Sequence, residues 1–123
     1  MTTNNNLTSF FRGDTKAWNL EFKDGAGNPI DITNHVLWFT MKRTLEDLDE
    51  NAALQKRITF PPGAESESGK GTLLLTSAET GALRPGSYFY DLQKVIPENP
   101  PVVATIMSGK VVVQADITRD SGP

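Results

Sequence analysis

The chain predicts an all-β domain, an antiparallel sandwich of about seven strands. Three observations carry this: apolar residues recur at every second position in one segment after another, turn residues close those segments at short intervals, and no stretch holds a long helical period. A small barrel is the alternative closure of the same strands. The 123 residues are the usual size of one domain, and 1–123 reads as a single unit with an ordered core over about 8–119. A 37% hydrophobic share with two Trp, six Phe and two Tyr supplies enough apolar surface for one core.

The polar start, Met1 to Asn6, reads as flexible, and Gly13 and Asp14 read as a bend after Phe10-Phe11-Arg12. Trp18, Leu20 and Phe22 then alternate with Asn19, Glu21 and Lys23, the period of a strand with one dry and one wet face. Asp24-Gly25-Ala26-Gly27-Asn28-Pro29 closes it as a tight turn, and Ile30-Asp31-Ile32 is a short extended piece. In Val36 to Arg43, Leu37, Phe39 and Met41 share one face while Val36, Trp38 and Thr40 share the other, as in a central strand. Thr44 to Glu50 is the best helical candidate, with Thr44 as N-cap and acids in the first turn.

Leu54, Lys56, Ile58 and Phe60 mark the next strand, ended by Pro61-Pro62-Gly63, and Ala64 to Lys70 reads as a mobile loop. Gly71 to Thr76 returns to strand character, Ser77 caps one helical turn over Ser77 to Thr80, and Arg84-Pro85-Gly86 turns the chain back. Ser87 to Val95 places Tyr88, Tyr90 and Leu92 on one face. After a loop with three prolines, Val102 to Met107 and Lys110 to Thr118 read as two β-branched strands joined by a hairpin-like turn at Ser108-Gly109.

Charge and composition narrow the function classes. A net charge of -3, with no basic run interleaved with aromatics, gives no field for a nucleic-acid backbone. Zero cysteines remove a thiol nucleophile and the common structural zinc sites and fit a reducing compartment. The first residues carry neither the basic start nor the apolar run of a signal peptide, and no stretch reaches the ~18 apolar residues of a membrane span, so synthesis in a cytoplasm is expected.

No side-chain set reads as an active site. His35 stands alone as the one histidine, and Asp24, Asn28 and Asp31 read as turn chemistry before they read as a calcium site. Arg12-Gly13-Asp14 spells an integrin-binding tripeptide, yet reads as a bend before a strand. The acids Glu46, Asp47, Asp49 and Glu50 read as a solvated face, and Gly69-Lys70-Gly71 lacks the strand-to-helix context of a phosphate loop. Trp18, Tyr88 and Tyr90 alternate in phase with aliphatic residues and read as core, whereas Trp38 lies opposite the Leu37-Phe39-Met41 face and is expected to be exposed for a partner. Catalytic, cofactor and metal residues are therefore all expected to be none.

Read in order, Phe11-Arg12-Gly13-Asp14-Thr15, Phe22-Lys23-Asp24, Gly27 to Thr33 and Leu37 to Lys42 form a recognisable set, continued by Leu75 to Thr80, Pro85 to Gln93, Gly109-Lys110 and Asp116-Ile117-Thr118-Arg119. Together they resemble the N-terminal immunoglobulin-like domain of phage baseplate upper proteins and small tail-associated relatives, across nearly the whole chain. The resemblance implies an immunoglobulin-like sandwich in a phage or prophage virion, used for assembly or display, with no catalytic residue to carry over. Baseplate upper proteins continue into a long C-terminal extension, which this sequence lacks, and that departure implies a stand-alone tail accessory.

The first expectation is thus a non-enzymatic structural protein of a tail or baseplate, partnered by other tail proteins or by itself. Its contact regions are Trp38, the loop Glu65, Ser66, Glu67 and Ser68, and the loop holding Pro97, Pro100 and Pro101. The second is a carbohydrate-binding module that recognises a bacterial surface glycan through exposed aromatics.

Overall fold

The computed structural model describes residues 9–115. Seven strands make up about half of it: β1 (Phe10–Phe11), β2 (Lys16–Glu21), β3 (Val36–Lys42), β4 (Leu54–Thr59), β5 (Lys70–Leu75), β6 (Gly86–Ile96) and β7 (Val102–Gln114). Two short helices, α1 (Ala64–Glu67) and α2 (Ser77–Gly81), interrupt them. The order β1-β7-β6-β3-β4 forms a five-stranded sheet that curls as a half-barrel, and β2 pairs with β5 in a second sheet. All pairs are antiparallel except β1 with β7.

Period-two alternation decides which side of each strand meets the core. From β3 come Leu37, Phe39 and Met41, from β6 Tyr88, Tyr90 and Leu92, and from β2 and β5 Trp18, Leu20, Leu73 and Leu75, all inside one cluster. Each fully buried Leu or Phe contributes about 1.5–3 kcal/mol relative to an exposed one, so this shared interior is what holds the two sheets together. Aromatic edges interlock within it: Phe10 meets Trp18 at 5.9 Å and Phe22 meets Phe60 at 5.8 Å, both edge to face.

Where the curled sheet approaches the small one, a lysine links them. Lys56, on the inward face of β4, donates to the Leu74 carbonyl of β5 and to Glu79 Oε1 of α2 at 2.8 Å. Burial disfavours the ionised Glu79, but hydrogen bonds from Lys56 and from the Thr76 N–H outweigh it and hold the carboxyl below its ordinary range. A carboxyl depressed by folding stabilises the fold above its unfolded pKa, about 4.3, and that contribution is lost as pH falls through the folded value. Lys56→Met is therefore expected to cost about 1–2 kcal/mol at pH 7 and clearly less in acid below the lowered folded-state pKa of Glu79, where the carboxyl takes up its proton. Urea melts of both proteins at the two pH values check this; an equal cost at both would assign the loss to packing.

Several local expectations give way to tertiary structure. Ser108-Gly109 is no hairpin turn: β7 runs unbroken through it, with Asp91 opposite Ser108 and Tyr90 opposite Gly109. The glycine is there because a Cβ would stand 3.2 Å from Tyr90 Oη, a close approach in place of a turn. The irregularity in this ladder is a bulge between Leu92 and Gln93.

Thr44 to Glu50 does not form a helix; only a 3-10 turn over Asp49–Asn51 ends the segment. Leu45 and Leu48 stay exposed, so the segment has no apolar stripe to bury. The expected loop at Ala64 to Lys70 instead winds into α1, and α2 is capped by Thr76 in place of Ser77. Thr76 Oγ1 accepts from the Glu79 N–H while Glu79 returns a bond to the Thr76 N–H, a reciprocal box that Ser77, one residue inside, cannot make. Phe10-Phe11 pairs with Val113 and Gln114 as a strand, an addition to the sheet that two residues of local pattern do not announce. The polar start at residues 1–6, and the end of the predicted last strand with Asp116 to Arg119, lie outside the described residues.

Candidate functional site

The outward face of the five-stranded sheet carries a candidate site, and strand register builds it row by row. Thr40 of β3 stands opposite Gln55 on one side and Asp91 on the other, and Asp91 stands opposite Ser108. This row of short or flexible polar side chains is a floor. One row along, Arg57, Trp38, Gln93 and Thr105 stand across the same strands; on the other side of the floor stand Lys42, Phe89 and Lys110. Long side chains thus flank short ones, and the result is a groove of about 480 Å³ crossing the strands, with Leu45 also on its lining.

Both aromatic walls are restrained by cations. The Arg57 guanidinium lies 5.9 Å from the Trp38 ring centroid and the Lys110 ammonium 5.1 Å from that of Phe89. On the floor, Gln55 Nε2 donates to Thr40 Oγ1 at 3.2 Å.

The contact residues expected from the sequence fall on different elements, and of them the groove takes Trp38 alone. Trp38 does face away from the core, but it is half-buried within the groove wall. The expectation that Trp18, Tyr88 and Tyr90 are core holds, at 8%, 2% and 4% exposure. In α1 and the residue after it, Glu65, Glu67 and Ser68 are exposed, whereas Ser66 is buried and donates its hydroxyl to the Pro61 carbonyl, which removes it from any contact surface. Glu65 borders a polar depression over β2 and β5 with Asn19, Glu21 and Lys70. Pro97, Pro100 and Pro101 are exposed in the β6–β7 connection.

The motif candidates resolve into turns. Asp24 Oδ1 accepts from the Ala26 and Asn28 N–H groups, and Asp31 Oδ1 from the Thr33 N–H and hydroxyl, which holds the Asp31 carboxyl below its ordinary range. Among the described residues no group of three or more His, Asp or Glu is placed to hold a metal. Arg12-Gly13-Asp14 is a turn tied down at both ends: Arg12 Nε donates to the Leu83 carbonyl, and the Asp14 carbonyl accepts from the buried Thr80 hydroxyl.

Two features of the site region have no clear signal in the sequence. Phe89 lines the groove although its neighbours Tyr88 and Tyr90 are core; period two assigns it outward, but only register shows that Trp38 stands across the floor from it. Lys94 continues the inward face of β6 after Leu92 and is 5% exposed, its ammonium 5.1 Å from the Phe22 ring centroid. Burial pushes its pKa below the ordinary lysine range. Burial and then the Lys94 charge lower the pKa of His35, against Asp31 and Glu98, and His35 Nδ1 is buried without a hydrogen-bond partner.

One further surface is left open. β1 covers β7 only at Val113 and Gln114, and among the described residues nothing pairs with that edge of β7 from Val102 to Val112. Val102, Val103 and Val112 are exposed along it, and no charged residue stands between Val102 and Gly109. No helix among the described residues is long and apolar enough to cross a membrane.

Fold and site together define a β-sheet domain with a polar-floored groove on one face and an uncovered strand at one edge. No protein-family model matches the chain, and no curated protein matches it.

Proposed function

We propose that this chain is a non-enzymatic interaction domain of the immunoglobulin-like kind, serving as a tail or baseplate accessory of a phage or prophage virion and docking through the open edge of β7. That edge is the observation that carries the reading. Natural sheets blunt their edges with charge, proline or short strands, whereas here an uncharged run from Val102 to Ile106, most of it β-branched, has no strand partner on its outer side among the described residues and is left available for strand addition. Its occupant in the assembled particle is a tail protein or a second copy of this chain, joined strand to strand.

Strand order supports the immunoglobulin-like assignment. The order β4-β3-β6-β7 corresponds to the C′, C, F, G order of such a sandwich, and the pairing of β2 with β5 to that of B with E. Near the start of β6, Tyr88 Oη donates to the Arg84 carbonyl, the bond of a tyrosine corner at the E–F junction. The resemblance to baseplate upper proteins supplies the virion context.

The test is to place like charges on the open edge. A Val103→Lys, Thr105→Lys variant changes two exposed outward positions. Wild-type protein is expected to co-sediment with tails or baseplates that lack it, and the double variant to bind at least tenfold more weakly while keeping the wild-type circular dichroism spectrum. Equal binding by the variant, or particles that complete normally with the protein left free, refutes the reading.

A further inference from the structure

We propose that the groove on the outward face of the five-stranded sheet is a binding site for a neutral oligosaccharide. The inference rests on the outward side chains of the sheet face and not on the open edge of β7, although Ser108 belongs to that strand.

The chemistry follows from what the groove offers a ligand. β3 is paired on both sides, with β4 and β6, and β6 with β3 and β7, so the ladders consume the backbone N–H and C=O groups beneath the middle of the floor, at Thr40 and Asp91. A peptide laid across the middle of the floor therefore finds no main chain to pair with, and recognition there rests on side chains alone. Those on the floor are hydroxyls, a carboxylate and an amide, from Thr40, Ser108, Asp91 and Gln55. Each presents a donor, an acceptor or both, the complement of a ligand dense in hydroxyl groups.

The walls supply the other half of the match. A sugar ring has polar edges and faces of C–H bonds, and Trp38 and Phe89 give such faces two aromatic surfaces on opposite sides of a polar floor. Wall and floor rows are two residues apart along the strands, about 6.6 Å, so the walls stand roughly 13 Å apart. The floor crosses four strands at ~4.8 Å spacing, a span of roughly 14 Å, which suits an elongated ligand over a single compact one. The volume of about 480 Å³ falls within the ~300–1,000 Å³ of small-ligand clefts.

Charge selects within the saccharides. Lys42 and Asp91 place one charge of each sign on the lining, and the neighbouring Arg57 and Lys110 charges are engaged on the Trp38 and Phe89 rings, so the lining itself gives neither an acidic nor a basic sugar a net attraction.

The experiment is an NMR titration of labelled full-length protein with hexasaccharides of β-1,4-glucose, α-1,4-glucose and β-1,4-N-acetylglucosamine, preceded by an array of neutral and acidic bacterial surface glycans. At least one neutral glycan is expected to bind saturably, with shifts concentrated at Thr40, Asp91 and Ser108 and the Trp38 indole. Trp38→Ala is expected to weaken that binding at least tenfold. Ser108→Arg, a change at an exposed floor position, is expected to abolish it without altering the fold. The proposal is overturned if no neutral glycan binds at millimolar concentration, if the shifts lie elsewhere, if Ser108→Arg binds as wild type does, or if only acidic glycans or peptides occupy the groove.

Discussion

Gly69→Ala is expected to cost about 3–5 kcal/mol, a large part of the total stability of a domain this size. Gly69 follows α1 closely, is buried, and has φ +74°, the left-handed region where a side chain is strained. Its surroundings add to the strain. A Cβ there would run into the Phe22 carbonyl oxygen and stand 2.9 Å from that of Ile30, and both belong to backbone that cannot swing aside. The same backbone is structural: the Ile30 N–H donates to the Phe22 carbonyl and the Phe22 N–H to that of Gly69, so relieving the clash means opening the junction of β2 with the α1 turn. Gly27→Ala is the control, because Gly27 has φ +87° but a methyl group added there would meet nothing within 4 Å, and its expected cost is only about 1–2 kcal/mol. Urea midpoints of the two variants test this. Similar midpoints would show that crowding at Gly69 contributes nothing.

Lys94→Met is expected to raise stability by about 1–3 kcal/mol at pH 7, since a nearly buried ammonium whose described close contact is an aromatic ring gives way to an apolar chain of similar length. The sign with pH follows from the lowered pKa. Because the unfolded chain holds the Lys94 proton to higher pH than the folded one, wild-type stability rises as pH climbs through the folded value towards the unfolded ~10.4. The methionine variant lacks that rise, so the two proteins converge in alkaline solution. His35 gives a second readout. It is the one histidine in the chain, and the Lys94 charge lowers its pKa, so its NMR titration should move upward in the variant. A variant that is less stable at pH 7, with His35 unmoved, would mean that Lys94 makes a favourable bond in solution.

How far the sequence can be read differs by position. Trp18, Tyr88 and Tyr90 are legible as core from their phase alone, because alternation along one strand is a local property of the chain. Ser66 misleads for the opposite reason: a serine in a polar run looks solvated until Pro61, five residues back, supplies its acceptor. Gly109 illustrates the same limit, since in sequence a glycine after a serine signals a turn, and only the Tyr90 ring opposite explains it as space. Lys94 gives no local signal at all, because a lysine at the end of an amphipathic strand normally reaches water.

The groove is illegible in the sequence for a related reason. Trp38 and Phe89 are far apart in the chain, and nothing local says that Thr40, Asp91 and Ser108 will line up between them. By itself the sequence determined that strands form, where most of them turn, and which face of each is dry, because backbone sterics and side-chain alternation act between neighbours along the chain. Only the tertiary structure decided which strands became neighbours, how the seven divided into five and two, and which edges were left open. Those choices depend on register and on contacts between distant residues, where a shift of one position would turn every side chain of a strand to the opposite face.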